Sequence, residues 1–170
     1  MKIFNSLTIS KKYKGSAIAI GNFDGVHKGH QKVFKQAKKF AKKNKIRFGI
    51  LTFTPLPIIF FNKKDSNYRL TSEDQKFNIL KKYEVDFLVN IKFNKTFSKI
   101  SAKKFIKNIL YKKINPKLIF VSNNFKFGNK RKGNVNLLKK YSKKYNYKLL
   151  KIIPLKYKKK IRKYTMVWLI

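Results

Sequence analysis

The chain has 170 residues, with 44 Lys plus Arg against 6 Asp plus Glu and a formal net charge of +38. That length fits one domain, and an apolar fraction of 43% with 16 Phe and 9 Tyr supplies a core, which excludes wholesale disorder. With no cysteine, disulfides, thiolate zinc sites and cysteine nucleophiles are excluded. Residues 1–10 hold no apolar stretch of signal-peptide length, and no segment nears the ~18 consecutive apolar residues of a membrane span, so the expectation is a soluble, cytoplasmic protein without membrane partners.

Ser16 to Gly21 (SAIAIG) is a short apolar run ending in glycine and reads as a buried strand. Residues 27–45 carry Val33, Phe34, Ala37, Phe40 and Ala41 at helical spacing, with lysines on the other face. Ile46 to Phe53 reads as a second strand. Residues 54–70, with Pro55, Pro57 and the run Ile58 to Phe61, read as a loop. Ser72 and Gln75 form a capping box that opens a helix to about Tyr83. Asp86 to Ile91 is a third strand. Ser101 caps a helix with Phe105, Ile106, Ile109 and Leu110 on one face, Leu118 to Val121 is a fourth strand, and Ser122 to Gly133 is a polar loop. Residues 135–146 read as a helix and Leu149 to Ile153 as a fifth strand.

Strand and helix alternate at βαβ spacing, so the expected fold is α/β: a five-stranded, mainly parallel sheet with helices on both faces. Such sheets bind ligands beyond the carboxyl ends of their strands. The loops at 21–30, 53–61 and 122–133 all follow a strand and should open onto one edge. Residues 1–155 are expected to form the domain, and 156–170 a basic tail.

The charge alone does not establish a nucleic-acid reader. Lys, Ile, Phe, Asn and Tyr together make up 100 of 170 residues, the mark of an AT-biased base composition, and only 4 Arg remain. Arg is the preferred residue for bidentate phosphate and base contacts. A lysine surface set by base composition is the simpler account, with non-specific, salt-sensitive polyanion binding as a side effect.

The two histidines, His27 and His30, fall in one ten-residue stretch with three of the seven glycines, Gly21, Gly25 and Gly29. That stretch, Gly21 to His30 (GNFDGVHKGH), runs from a strand into a helix, whose N-terminus offers free N–H groups and a positive dipole end. His27 and His30 are three apart and share a face there. Gly29 lets backbone and phosphate approach without a Cβ between them. Two imidazoles at a first helical turn suit the charge that develops on a transferring phosphoryl group. A histidine pair of this kind also fits a helix cap or a metal site, although Asp24 is the only nearby carboxylate and there is no third histidine. The glycines, four apart, do not meet the dinucleotide fingerprint. Gly128 to Gly133 (GNKRKG) continues as Asn134-Val135 where a P-loop needs Lys-Ser/Thr.

GNFDGVHKGH resembles the signature of bacterial FAD synthetases, the FMN adenylyltransferase module of bifunctional riboflavin kinase/FAD synthetase, within the H-x-G-H nucleotidyltransferase superfamily. Further stretches resemble the family in the same order: Leu51 to Pro57 (LTFTPLP), Arg69-Leu70-Thr71-Ser72, Val85-Asp86, Phe93, Phe97, Ser101-Ala102 with Phe105, and Val121 to Gly133 (VSNNFKFGNKRKG). The resemblance spans about residues 15–153. It implies a Rossmann-like nucleotidyltransferase fold and the reaction FMN + ATP → FAD + pyrophosphate with Mg²⁺, so that ATP and FMN are the substrates and FAD the product. By position it implies that His27 and His30 hold the ATP phosphates and stabilise the transition state. Gly21, Phe23, Asp24 and Gly29 would shape the ATP pocket. Pro55, Pro57, Phe61, Asn124 and Phe127 would line the flavin.

Three departures stand against the family pattern. Ser122 replaces a glycine and Lys126 an arginine. Lys160 to Ile170 reads KIRKYTMVWLI where the family carries I-S-S-T-x-I-R, a second phosphate-binding motif. The resemblance thus implies impaired turnover and the absence of the riboflavin kinase domain, whose activity would have to come from elsewhere. The rival readings are a non-catalytic flavin- or nucleotide-binding remnant and a basic nucleic-acid-binding protein.

Overall fold

The structure, a computed structural model, describes residues 1–62 and 71–152. Arg69, Leu70 and the segment from residue 153 onward, on which part of the family resemblance and the tail reading fall, lie outside the described residues. Six strands form one parallel sheet: β1 (Lys2–Phe4), β2 (Ala17–Ile20), β3 (Phe48–Thr54), β4 (Phe87–Lys92), β5 (Leu118–Ser122) and the last, β8 (Lys148–Ile152). Between β5 and β8 lies a two-stranded antiparallel ladder of β6 (Lys126–Phe127) and β7 (Gly133–Asn134). The order in the sheet is β1-β4-β3-β2-β5-β8.

The central strands and their helices follow directly from hydrophobic periodicity. In β2, Ala17 and Ala19 face one layer while Ile18 and Ile20 face the other, and all four are buried, as befits a central strand covered on both sides. Helix α1 (Lys28–Lys43) packs Val33, Phe34, Ala37 and Ala41 on the first layer, joined by Leu80 of α3 (Glu73–Lys82). The second layer is covered by α5 (Ala102–Lys104, continuing in wide π-type turns through Phe105–Ile114) and by Val135 and Leu138 of α6 (Val135–Ser142). Each fully buried Phe, Ile or Leu here contributes roughly 1.5–3 kcal/mol relative to exposure. The expected Ser72–Gln75 capping box forms in both directions, at 3.1 and 2.9 Å.

Three expectations needed correction. The sheet has six strands, not five, because the three-residue β1 pairs with β4. It is too short for periodicity to reveal. The segment 54–70, read as a loop, contains the short helix α2 (Pro57–Phe61), whose proline stands in the first turn, where its missing N–H costs nothing. The loop after β5 contains the β6–β7 ladder and a tight turn at Asn129–Arg131.

Asp86 has a structural post. Asp86 Oδ2 accepts the Phe48 N–H at 2.7 Å and its Oδ1 lies 3.7 Å from Lys38 Nζ. Gly49 sits directly opposite Phe87 in the β3–β4 register, and a Cβ there would collide with the Phe87 ring. The ring therefore fills the space a side chain would need. Gly49→Ala is expected to destabilise the fold by about 1–3 kcal/mol through overpacking, read as a lower thermal midpoint. Adding Phe87→Leu should recover part of the loss, and no recovery would show that the ring is not the obstacle.

Among the described residues no helix is long and apolar enough to cross a membrane. β2 lies between β3 and β5, so the chain leaves it in one direction and later returns on its other side. Crevices form at such reversals beyond the strands' carboxyl ends. The loop that follows β2 opens there.

Candidate functional site

The loop after β2 is fixed to its neighbour at the outset. The Gly21 N–H donates to Leu51 O at 3.0 Å, and the buried Thr52 hydroxyl donates to Asn22 O at 3.1 Å. The chain then turns through left-handed conformations at Phe23 (φ 50°), Gly25 (φ 67°) and Val26 (φ 29°). Such backbone at two non-glycine residues is costly and persists only where its surroundings over-determine it. They do so here. Asp24 Oδ1 accepts the Thr71 N–H at 3.0 Å and the Thr71 hydroxyl at 2.9 Å, and the Gly25 N–H donates to Thr71 Oγ1 at 3.3 Å. The Gln31 side-chain amide donates to Val26 O at 3.1 Å.

This turn delivers His27 to the N-cap of α1. Its Nδ1 accepts the Gly29 N–H at 3.1 Å, which places the ring proton on Nε2. His30 lies against it, ring on ring, with centroids 3.8 Å apart and planes at 23°. Phe23 packs edge-on to His30 at 5.1 Å. A Cβ on Gly29 would lie 2.9 Å from His27 Cε1, so the glycine makes room for the imidazole. His27 is exposed and His30 is 2% exposed.

Partial desolvation of the ring, one face of which stacks on His30, holds the His27 pKa below its usual 6.5. Burial, and next the neighbouring His27, push His30 down to about 2. At neutral pH the pair is therefore uncharged and acts through N–H donors and ring nitrogens. The depressed pKa also makes stability depend on pH. Between the folded and unfolded values the unfolded chain binds more protons at His30, so stability falls as the pH drops below about 6.5. His30→Phe keeps an aromatic ring in the stack but removes this titration. Its unfolding midpoint is expected to fall less between pH 7 and pH 5 than the parent's, as measured by denaturant titration. An identical pH slope in the two proteins would remove His30 as the source.

A second feature is aromatic. A cavity of about 260 Å³ is walled by Phe61 at the end of α2, Phe93 just beyond β4, Phe97 of α4 (Lys95–Ser98) and Phe105 of α5, with Ile100 and Gly128. The rings interlock edge to face: Phe61–Phe93 at 5.9 Å and Phe97–Phe105 at 6.5 Å. Ser98, Lys130 and Arg131 complete its lining.

The structure brings Gly21, Phe23, Asp24, His27, Gly29 and His30 into one loop and helix start. Asp24 works there by tying the loop to Thr71. Of the residues expected around a flavin, Phe61 lines the aromatic cavity and is 63% exposed. Pro57 is buried at the start of α2, and Pro55, half-buried, follows a cis peptide bond. Phe127 does not line the cavity. It is fully buried and packs on Phe105 from behind at 5.2 Å. Asn124 is exposed beyond β5 and accepts the Ser122 hydroxyl at 2.9 Å. The walls Phe93, Phe97 and Phe105 and the rim residues Lys130 and Arg131 were not singled out by sequence reasoning as ligand contacts.

Comparison with known proteins gives the family. A model of the FAD synthetase family matches residues 9–165. The chain is 45% identical over 163 residues to the bifunctional riboflavin kinase/FMN adenylyltransferase of Buchnera aphidicola subsp. Schizaphis graminum, covering 95% of this chain and 52% of that protein. The counterpart from Buchnera aphidicola subsp. Acyrthosiphon pisum is 40% identical over the same shares. That of Haemophilus influenzae is 35% identical over 79% of this chain and 44% of its own. The chain thus spans about half the length of the curated relatives it matches. A solved structure titled as a macrolide-efflux protein from Streptococcus pneumoniae superposes with a TM-score of 0.79 at 24% identity, over 92% of this chain and 51% of that one, and shows the shared fold.

Proposed function

The chain belongs to the FAD synthetase family, and on that premise we propose that it is an FMN adenylyltransferase, moving AMP from ATP onto FMN to give FAD and pyrophosphate. The observation that carries the reading is the stacked pair His27 and His30 at the open N-terminus of α1, with Gly29 clearing the approach.

In this reading the triphosphate lies at the helix start, where backbone N–H groups and the helix dipole favour anions. The His27 Nε2–H donates toward a phosphate oxygen, and an anion there favours the protonated form of the pair. His30 supports and extends that donor set from beneath. The FMN phosphate attacks the α-phosphorus in line, the bond to the bridging oxygen breaks, and pyrophosphate leaves with the electron pair. Positioning and charge stabilisation supply the rate, with no covalent enzyme intermediate. The interlocked phenylalanines present apolar walls suited to the flavin ring.

Mg²⁺ would neutralise charge on the polyphosphate. No group of three His, Cys, Asp or Glu able to hold a metal occurs among the described residues, and Asp24 Oδ1 already accepts two hydrogen bonds from Thr71. Imidazole and backbone N–H donors suit phosphate, so the cation would be held by the nucleotide. Weak polyanion binding by the lysine-rich surface would fade with salt.

The test is incubation of the chain with FMN, ATP and Mg²⁺ followed by chromatography for FAD. FAD with equimolar pyrophosphate is the expected product. Flavin binding without FAD would leave a binding remnant, and the absence of both binding and FAD would overturn the reading.

A further inference from the structure

The aromatic cavity has one feature that its walls do not explain. Its lining ends in two consecutive cations, Lys130 and Arg131, both exposed. Both hold left-handed backbone, with φ of 52° and 57°. Two adjacent non-glycine residues in that region are costly and persist only where the surroundings over-determine them. The turn is held in place from outside. The Asn129 N–H donates to Ile100 O at 2.7 Å and its side-chain amide to Ser98 O at 3.0 Å, while the Arg131 N–H donates to Gly128 O at 2.9 Å. The cations are thereby pinned to the segment that also carries cavity walls Ser98 and Ile100.

Arg131 is one of 4 arginines among 44 basic residues. Arg47 has a structural post, donating to Lys12 O at 3.0 Å and lying over the Tyr13 ring. The Arg131 guanidinium makes no ion pair or hydrogen bond among the described residues. The cavity, about 260 Å³, is below the ~300–1,000 Å³ of a typical ligand pocket. It accommodates a planar ring system and leaves any polar appendage at the mouth.

We propose that Lys130 and Arg131 form the anion-recognition rim of the aromatic cavity and set its preference for a phosphorylated flavin over the uncharged one. The proposal rests on the adenylyltransferase reading and specifies which chemical feature of its acceptor substrate the chain selects. Apolar walls hold the ring equally well in riboflavin and in FMN. Only the phosphate distinguishes them, and a guanidinium fork with an ammonium beside it meets a phosphate with charge-assisted hydrogen bonds.

The experiment titrates the chain with FMN and, separately, riboflavin, following flavin fluorescence. The variant is Lys130→Asn/Arg131→Asn, because Asn tolerates left-handed backbone while removing both charges. FMN affinity is expected to weaken about 10–100-fold, as for loss of charge-assisted contacts, while riboflavin affinity stays within about twofold. The exchange Lys130→Arg/Arg131→Lys keeps the charge and should retain most of the FMN preference. Equal losses for both flavins, or no loss for either, overturn the rim assignment and leave the parent's FAD formation untouched as evidence for the enzyme. If the unaltered chain binds neither flavin, the adenylyltransferase reading and the rim fall together.

Discussion

FAD formation by a His30→Ala variant is expected to fall by about 10²–10³ in turnover, the usual consequence of losing a donor to a developing oxyanion, while FMN affinity moves by less than about threefold, because the proposed flavin contacts lie with other residues. His30 is 2% exposed and stacked under His27 at 3.8 Å, so a purely supporting role has to be separated from a chemical one. His30→Phe makes the separation. It restores a ring between Phe23 and Phe34, the latter 6.5 Å away, yet offers no N–H. If the imidazole nitrogens matter, the Phe variant is as slow as the Ala variant. A Phe variant running near the parental rate would reduce His30 to a packing residue and leave His27, whose Nδ1 is already committed to the Gly29 N–H, as the sole imidazole donor. Far-ultraviolet circular dichroism and a melting curve keep both results clear of misfolding.

Gly128→Ala is expected to damage stability and ligand binding together. Gly128 holds φ 73° and ψ 170°, a region open essentially to glycine alone. A Cβ there would also meet the Ala102 backbone N and Cα at 2.6 Å. Strain of about 1–3 kcal/mol adds to an overpacking cost of similar size, for a total of roughly 2–5 kcal/mol. The obstacle is backbone at the start of α5, which cannot swing aside as a side-chain tip can. Either Gly128 shifts, taking Lys130 and Arg131 off the cavity rim, or α5 shifts, taking Phe105 out of the wall. Both routes weaken FMN binding, by an expected factor of ten or more. A variant with parental melting temperature and parental FMN affinity would show that the close approach does not exist in solution.

Much of this architecture can be read in the chain because the central strands and their helices repeat apolar residues at strict intervals. β2 to β5, α1, α3 and α5 all announce themselves this way, and the histidine turn stands out because histidine and glycine are scarce in the rest of the chain. What stayed hidden has physical reasons. β1 is three residues long and gains its place only through β4. In α2 a proline, ordinarily a sign of irregular chain, occupies the one part of a helix that accepts it. With 16 phenylalanines present, nothing local distinguishes a wall such as Phe93 or Phe97 from a core residue such as Phe127. Only the packed positions separate them. Lys130 and Arg131 vanish into a lysine background until their backbone angles and the adjoining cavity single them out. Asp24 reads as a candidate pocket residue, but its partner Thr71 is 47 positions away and no spacing rule links them.

That long-range latch bears on the order in which the molecule assembles. The helix start can form early from local interactions, but the turn before it is completed by a residue that must wait for β3 and then the head of α3 to arrive. Loop closure over such separations is slow compared with helix growth. On the adenylyltransferase reading, nucleotide would be recognised only once the chain has folded through Thr71, so added ATP should slow unfolding without hastening refolding. A nascent fragment ending before Thr71 would display both imidazoles and grip nothing.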